Sequence, residues 1–302
     1  MAGVANTPTD GKWWLTGSAA ALVPLLLALW LASQWGWRDP GVPEVSGLQA
    51  VALDSAAELA VLFNEHGYRW PPAEPVPRLS VQQLPADLAQ QTIPRKKALF
   101  FKTLLPLVLA ENQRLEEKRA WLEGLDLQGL AADEAERFAV LLERYRIEDS
   151  TPAEQRAALL QRVDRVPVAL VLAQAANESG WGTSRFVREA NNLFGEWTWR
   201  AEEGIAPRIR NADSRHYVRR FDNLEASVRA YIYNLNVGHA YEELRTLRAA
   251  MRAEGLRPYD AQQLASGLER YSERGEEYVT EIQQMIRSNR LHRLGMLELS
   301  AP

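Results

Sequence analysis

Residues 166–182 read VPVALVLAQAANESGWG, and this stretch predicts the centre of the fold. From Val166 to Ala176 it is apolar on nearly every side, with Gln174 as the polar exception. A helix that is apolar all round is a buried helix, so we expect a central helix surrounded by others. Gly180 and Gly182 flank a tryptophan, and such glycines are typical of the point where a helix ends.

Glu178 falls in the last turn of this expected helix. A helix C-terminus disfavours a negative charge, and burial in an apolar core desolvates a carboxylate. Both effects raise the pKa of a carboxyl group, which suits a general acid at neutral pH. The alternative is an ordinary surface glutamate, but the apolar run before Glu178 favours a functional role.

Two motifs carry a resemblance to a known family. QAANESGWG (174–182) followed by NNLFG (191–195) resembles the hallmark of bacterial endo-β-N-acetylglucosaminidases, glycoside hydrolase family 73, which includes the muramidase domain of the flagellar rod-assembly protein. The continuation GEW (195–197) is most similar to the Bax-like subgroup. The resemblance covers residues 160–290 and extends more faintly back to about Lys96.

The resemblance implies a lysozyme-like α domain with a small β lobe above a sugar-binding cleft. It implies hydrolysis of the β-1,4 bond after N-acetylglucosamine in peptidoglycan glycan strands, without a metal or organic cofactor. By position, Glu178 matches the catalytic acid, and Tyr271 falls where the family has a tyrosine near that acid, with a half-buried core tyrosine as the alternative for Tyr271. Here RYSE (270–273) replaces the usual Gly-Tyr-Ala-Thr pattern.

Many relatives carry a second carboxylate on the β lobe, but the matching segment here, residues 214–218, has no acid. Glu196, Glu203 and Asp213 are the alternatives, and the sequence does not choose among them. The side chains expected to bind substrate are Trp181, Asn192, Phe194, Glu196, Trp197 and Trp199. Core packing is the alternative for Trp181 and Phe194, while Trp197 and Trp199 alternate as on one face of a strand.

Two rival functions fit the same motifs. A lytic transglycosylase also places a Glu-Ser pair at the end of a buried helix and releases an anhydro sugar. A cell-wall binding or scaffold protein with an inactive site is the second rival, and the missing lobe acid is its support.

Outside the central stretch, the sequence predicts a mainly α protein with one small β element. Helical periodicity predicts helices at 53–65, 93–125 with a kink at Pro106, 133–146, 152–163, 224–236, 240–254, 260–270 and 275–290. Residues 193–221 are expected to form a small β-hairpin lobe or an irregular insertion. The expected organisation is an anchor or signal at 1–37, a linker with a small helical segment at 38–92, a helical region at 93–160 and the catalytic domain at 161–292.

Composition and the N-terminus bear on the compartment. Residues 13–37 carry no charged side chain and are long enough to cross a bilayer, so we expect a transmembrane helix, with a cleaved signal peptide as the alternative. This predicts a single-pass bacterial inner-membrane protein whose catalytic domain faces the periplasm. The net charge of −4 argues against a nucleic-acid partner, and the absence of cysteine excludes disulfides and thiol catalysis.

Overall fold

The computed structural model describes residues 47–73, 75–148, 151–207 and 216–302. This part of the chain is mainly helical, which confirms the predicted class. Its α-helices are α1 (Ala56–Glu65), α2 (Ile93–Gly124), α3 (Ala132–Arg144), α4 (Pro152–Arg162), α5 (Val168–Ser179), α6 (Arg185–Ala190), α7 (Leu224–Val237), α8 (Glu242–Ala253), α9 (Ala261–Ala265) and α10 (Glu276–Ser288). Short 3-10 segments lie at Ala86–Gln90, Ala201–Glu203, His239–Tyr241, Ser266–Leu268 and Leu291–Leu294.

Two small sheets accompany the helices. Strands β1 (Gln49–Val51) and β2 (Leu79–Val81) pair in parallel. Strands β3 (Trp197–Thr198), β4 (Gly204–Ile205) and β5 (Tyr217–Arg219) form an antiparallel sheet with β5 in the middle. The second sheet lies within residues 193–221, where the sequence predicts the β lobe.

Helix α5 is the centre of the core, as its composition predicts. Its residues from Val168 to Ala176 are all buried. Helices α2, α9 and α10 and the 3-10 segment at Leu291–Leu294 pack around it. Because α5 is covered from several directions, its C-terminal end is held in place by the whole helical assembly.

The end of α5 depends on glycine. Gly180 adopts a left-handed conformation, with φ of 56°, and the N–H of Trp181 bonds back to the carbonyl of Ala176 at 2.9 Å. At Gly182, a Cβ atom would lie 2.4 Å from Leu84 Cδ1, inside van der Waals contact. Glycine at this position therefore lets the chain turn tightly beneath the end of α5.

The long helix α2 belongs to the same core. The predicted helix at 93–125 is confirmed at Ile93–Gly124, and Pro106 lies inside this single helix. The residues between Leu99 and Ala110 are buried, and α2 packs against both α5 and α7. The region before residue 160 thus supports the helices that carry the motifs.

A buried ion cluster lies just before the N-terminus of α5. Asp164 is 3% exposed, and its carboxylate receives hydrogen bonds from Arg252 and, at 3.0 Å, from the Tyr259 hydroxyl. Arg119 and Arg248 lie 3.7 and 3.8 Å from it. Burial alone would raise the pKa of Asp164, but the Arg252 hydrogen bond and the three guanidinium charges bring it below the ordinary value.

The remaining helix predictions agree within a few residues, except at 260–270. There α9 ends at Ala265 and a 3-10 segment follows, in which Gly267 lies close against the backbone of Leu244. In the described part of the chain, no helix combines the length and the apolar character needed to cross a membrane. The predicted transmembrane segment at 13–37 lies outside the described residues.

Candidate active site

Glu178 lies in the last turn of α5, where the sequence predicts it. Its side chain is half-buried, and the Tyr278 hydroxyl donates a hydrogen bond to Glu178 Oε1 at 2.8 Å. Burial raises the pKa of Glu178 above its ordinary value, although the hydrogen bonds from Tyr278 and Asn177 and the charge of Arg274 oppose that rise. The carboxyl group therefore holds its proton to a higher pH than a solvated glutamate does.

A hydrogen-bond relay stands behind this carboxyl group. The Gln174 side chain donates from Nε2 to the Tyr278 hydroxyl oxygen at 2.9 Å, and its Oε1 accepts a hydrogen bond from the Tyr231 hydroxyl. Gln174 is fully buried. The polar exception in the apolar run thus links α5 to α7 and α10 directly beneath Glu178.

The sequence predicts Tyr271 as the tyrosine near the acid. In the structure, Tyr271 contacts Tyr278, and it is Tyr278 that contacts Glu178. The Tyr271 ring stacks on Tyr278 with centroids 5.1 Å apart. Its hydroxyl donates to the carbonyl of Phe194 at 3.3 Å, which ties the β lobe to the helical body. In the described residues, the tyrosine that bonds Glu178 is Tyr278.

Tyr278 and the role of Gln174 were missed by sequence reasoning. The isolated Gln174 amide in a buried helix was an available signal, because a buried polar side chain requires hydrogen-bond partners. For Tyr278 there was no comparable signal, since it lies 100 residues from Glu178 in the chain.

Two predicted substrate-binding residues shape the lobe from within. The Asn192 side chain is 1% exposed, donates to the carbonyls of Glu196 and Arg219 at 2.8 and 2.9 Å, and accepts from the Glu196 N–H. Phe194 is 4% exposed and stacks on Tyr231 with centroids 3.8 Å apart. Phe194 joins the lobe to the helical core, whereas the Asn192 side chain ties two segments of the lobe together.

The three predicted tryptophans divide into two environments. Trp181 packs edge-on against Phe100 and Phe101, and Lys97 Nζ lies 4.2 Å from the centre of its ring. A set of half-exposed rings on the lobe comprises Trp197, Trp199 and His216. The His216 ring lies 3.6 Å from that of Trp197 and 6.2 Å from that of Trp199, and this group offers aromatic surface at the lobe.

Among the described residues of the lobe, Glu196 is the carboxyl group whose pKa is raised. Its side chain is 13% exposed and lies 3.8 Å from the Arg219 guanidinium, while Oε1 has no hydrogen-bond partner among the described residues. Burial raises its pKa to about 7, and Arg219 lowers it only in part. Glu203 forms an ion pair with Arg200 at 2.8 Å, and Asp213 lies outside the described residues.

Glu178 and Glu196 act on the same group of tyrosines. Burial raises the pKa of Tyr231 and Tyr241, and the charges of both glutamates raise it further. Glu178 on the helical body and Glu196 on the lobe thus both influence the ionisation of these two tyrosines.

Comparisons with known proteins identify a matching family and a similar chain. The Glucosaminidase family model, described as mannosyl-glycoprotein endo-beta-N-acetylglucosaminidase, matches residues 154–291. The Escherichia coli (strain K12) protein named Protein bax is 33% identical over 199 residues, which are 65% of this chain and 70% of that protein. No solved structure matches the chain significantly.

The family match and the acidic site at the end of α5 define the class of protein, a glycosidase with endo-β-N-acetylglucosaminidase activity. Within that class, the chain belongs to the Bax-like members of glycoside hydrolase family 73, as the motifs at 174–182 and 191–197 indicate.

Proposed function

We propose that the protein cleaves the β-1,4 glycosidic bond after N-acetylglucosamine in peptidoglycan, with Glu178 as the general acid. One observation carries this proposal: the Glu178 carboxyl group is half-buried at a helix end, with a raised pKa and a phenol donor at 2.8 Å. These features suit a group that must be protonated before the reaction and stabilised as an anion after it.

In the proposed reaction, the bond between the anomeric carbon and the glycosidic oxygen breaks. Its electron pair moves to the oxygen, which takes the proton from Glu178. Water adds to the anomeric carbon and forms the new reducing end, and the proton that it releases to solvent is balanced when the Glu178 carboxylate takes a proton back from solvent. The Tyr278 hydroxyl then stabilises the Glu178 carboxylate, because a hydrogen bond to an ionised acceptor is stronger than one to a neutral acceptor.

We assign sugar stacking to Trp197 and Trp199, whose half-exposed rings lie on the lobe beside His216. Aromatic rings bind sugar rings through their apolar faces. We also assign to Glu196, which lies beside Arg219 on the lobe, a polar contact with the glycan. Asn192, Phe194 and Trp181 act indirectly, because their side chains are engaged with the backbone or with neighbouring rings.

The experiment is digestion of purified sacculi by the full-length chain, followed by analysis of the released muropeptides. We expect products with N-acetylglucosamine at the new reducing end. Glu178→Gln should abolish release, whereas the matched exposed variant Glu189→Gln should keep it. An anhydro sugar as product supports the transglycosylase. Activity that survives Glu178→Gln would show that Glu178 is not the general acid. No activity in the unaltered chain would support the inactive cell-wall binding or scaffold protein.

We further propose that the protein acts in the bacterial envelope, with residues 13–37 as an inner-membrane anchor and the catalytic region in the periplasm. Peptidoglycan lies outside the cytoplasm, so its hydrolase requires export, and the uncharged segment supplies an apolar stretch of sufficient length. Fractionation of cells that express the chain with and without residues 1–37 tests this. Recovery of both forms in the cytosol would refute it.

A further inference from the structure

The relay beneath Glu178 has a direction. Tyr231 donates to Gln174 Oε1, Gln174 Nε2 donates to Tyr278, and Tyr278 donates to Glu178 Oε1. A phenol has one proton, so Tyr278 can donate to Glu178 only when it does not donate to Gln174. The orientation of the Gln174 amide therefore controls which way the Tyr278 proton points.

The opposite amide orientation is disfavoured by its neighbours. With Nε2 turned toward Tyr231, the Tyr231 hydroxyl would face a donor and lose its acceptor. Burial raises the pKa of Tyr231 well above its ordinary value, so this hydroxyl keeps its proton and requires an acceptor. A buried donor without a partner is costly, and this selects the orientation in which Gln174 Oε1 faces Tyr231.

We propose that Gln174 is a positioning residue that orients the Tyr278 hydroxyl toward Glu178 Oε1, where it stabilises the carboxylate that remains after proton transfer. The inference rests on the proposed role of Glu178 as the acid. The Asn177 side chain also bonds Glu178, but among the described residues the donor held by a buried amide is Tyr278.

Other charged groups near Glu178 do not provide this direction. Among the described residues, Arg274 precedes α10 and its charge lowers the pKa of Glu178, while Glu281 on α10 raises it. Arg274 and Glu281 also pair with each other at 2.5 Å, which partly cancels their effects. Tyr278 is the donor that contacts the carboxyl group and whose own hydroxyl is bonded by Gln174.

The first experiment needs no substitution of the relay. In the full-length chain with isotope-labelled Gln and Tyr side chains, NMR should show contacts from the Gln174 Nε2 protons to the Tyr278 ring edge beside its hydroxyl. Contacts from those protons to the corresponding edge of Tyr231 would show the reverse orientation and overturn the proposal.

The second experiment measures the basic limb of the pH–rate profile on sacculi. Tyr278→Phe removes the donor to the ionised carboxylate, so the limb should move to higher pH by about one pH unit. Gln174→Met should move it in the same direction, and it should add nothing in a Tyr278→Phe background, because Gln174 acts through Tyr278. Tyr233→Phe, which removes a hydroxyl bonded to the Arg144 carbonyl, is the matched control and should leave the limb in place.

The outcomes separate the relay from the acid. Activity retained by Glu178→Gln refutes the proposed function itself. If Glu178→Gln is inactive but Tyr278→Phe leaves the basic limb unmoved, or if the two relay variants are additive, the positioning role is refuted alone. If Gln174→Met does not fold, the NMR contacts of the Gln174 amide in the unaltered chain decide its orientation, and titration of the labelled Glu178 carboxyl carbon in the unaltered chain and in Tyr278→Phe decides whether Tyr278 lowers the pKa of Glu178.

Discussion

Replacement of Glu196 by glutamine should make the protein more stable at alkaline pH. Glu196 is 13% exposed, and burial raises its pKa to about 7 from the ordinary 4.5. The folded chain therefore holds this proton more tightly than the unfolded chain does. The unfavourable contribution of the side chain is absent below pH 4.5, grows as the pH rises through the folded pKa and is complete above it.

The magnitude follows from the two pKa values. Each pKa unit corresponds to about 1.4 kcal/mol, so a pKa of about 7 against 4.5 corresponds to about 3 kcal/mol at full ionisation. Glutamine resembles the protonated acid in shape and charge. The variant and the unaltered chain should thus be equally stable near pH 4.5, and the variant should be more stable by about 2 to 3 kcal/mol at pH 8.

The assay is urea unfolding at both pH values, with the free energy of unfolding extrapolated to water. Glu189→Gln, which removes an exposed carboxylate that pairs with Arg185, is the matched surface control. A Glu196→Gln variant that is less stable at pH 8 than the unaltered chain would show that the Arg219 ion pair outweighs desolvation. That result would refute the reasoning.

Three further changes test the core. Asp164→Asn should lower the free energy of unfolding in urea by about 3 to 5 kcal/mol near pH 7, because buried Arg248 loses its counter-charge. This loss should shrink as the pH falls below 3.8, and an unchanged stability near pH 7 would contradict the prediction. Gly182→Ala should cost about 2 to 4 kcal/mol through overlap with Leu84 and a left-handed backbone. Gly67→Ala, with an open surrounding and φ of 61°, isolates the backbone contribution, and equal losses would show that the overlap is relieved. Residues 154–291 expressed alone should lack a cooperative unfolding transition, since α2 would no longer cover α5; a sharp transition by circular dichroism would refute this.

Much of the helical framework is predictable because helix signals are local. The apolar run of α5, the glycines after it and the periodicity of α2 each act within a few turns of chain, and all three predictions agree with the structure. The position of Glu178 at a buried helix end follows from the same local pattern. The length of α9 is an exception, because the close contact of Gly267 with Leu244 is a tertiary feature.

Local sequence patterns are sufficient to predict the helical class, the motifs of the glucosaminidase family and the placement of Glu178 at the end of a buried helix. The packing of distant elements is needed to show that Tyr278 rather than Tyr271 bonds Glu178 and that Glu196 is desolvated beside Arg219. These contacts join residues that are far apart in the chain, or they depend on how the lobe packs against the helices. Short-range patterns determine where a helix begins and ends, whereas hydrogen-bond partners and desolvation are determined by which elements meet.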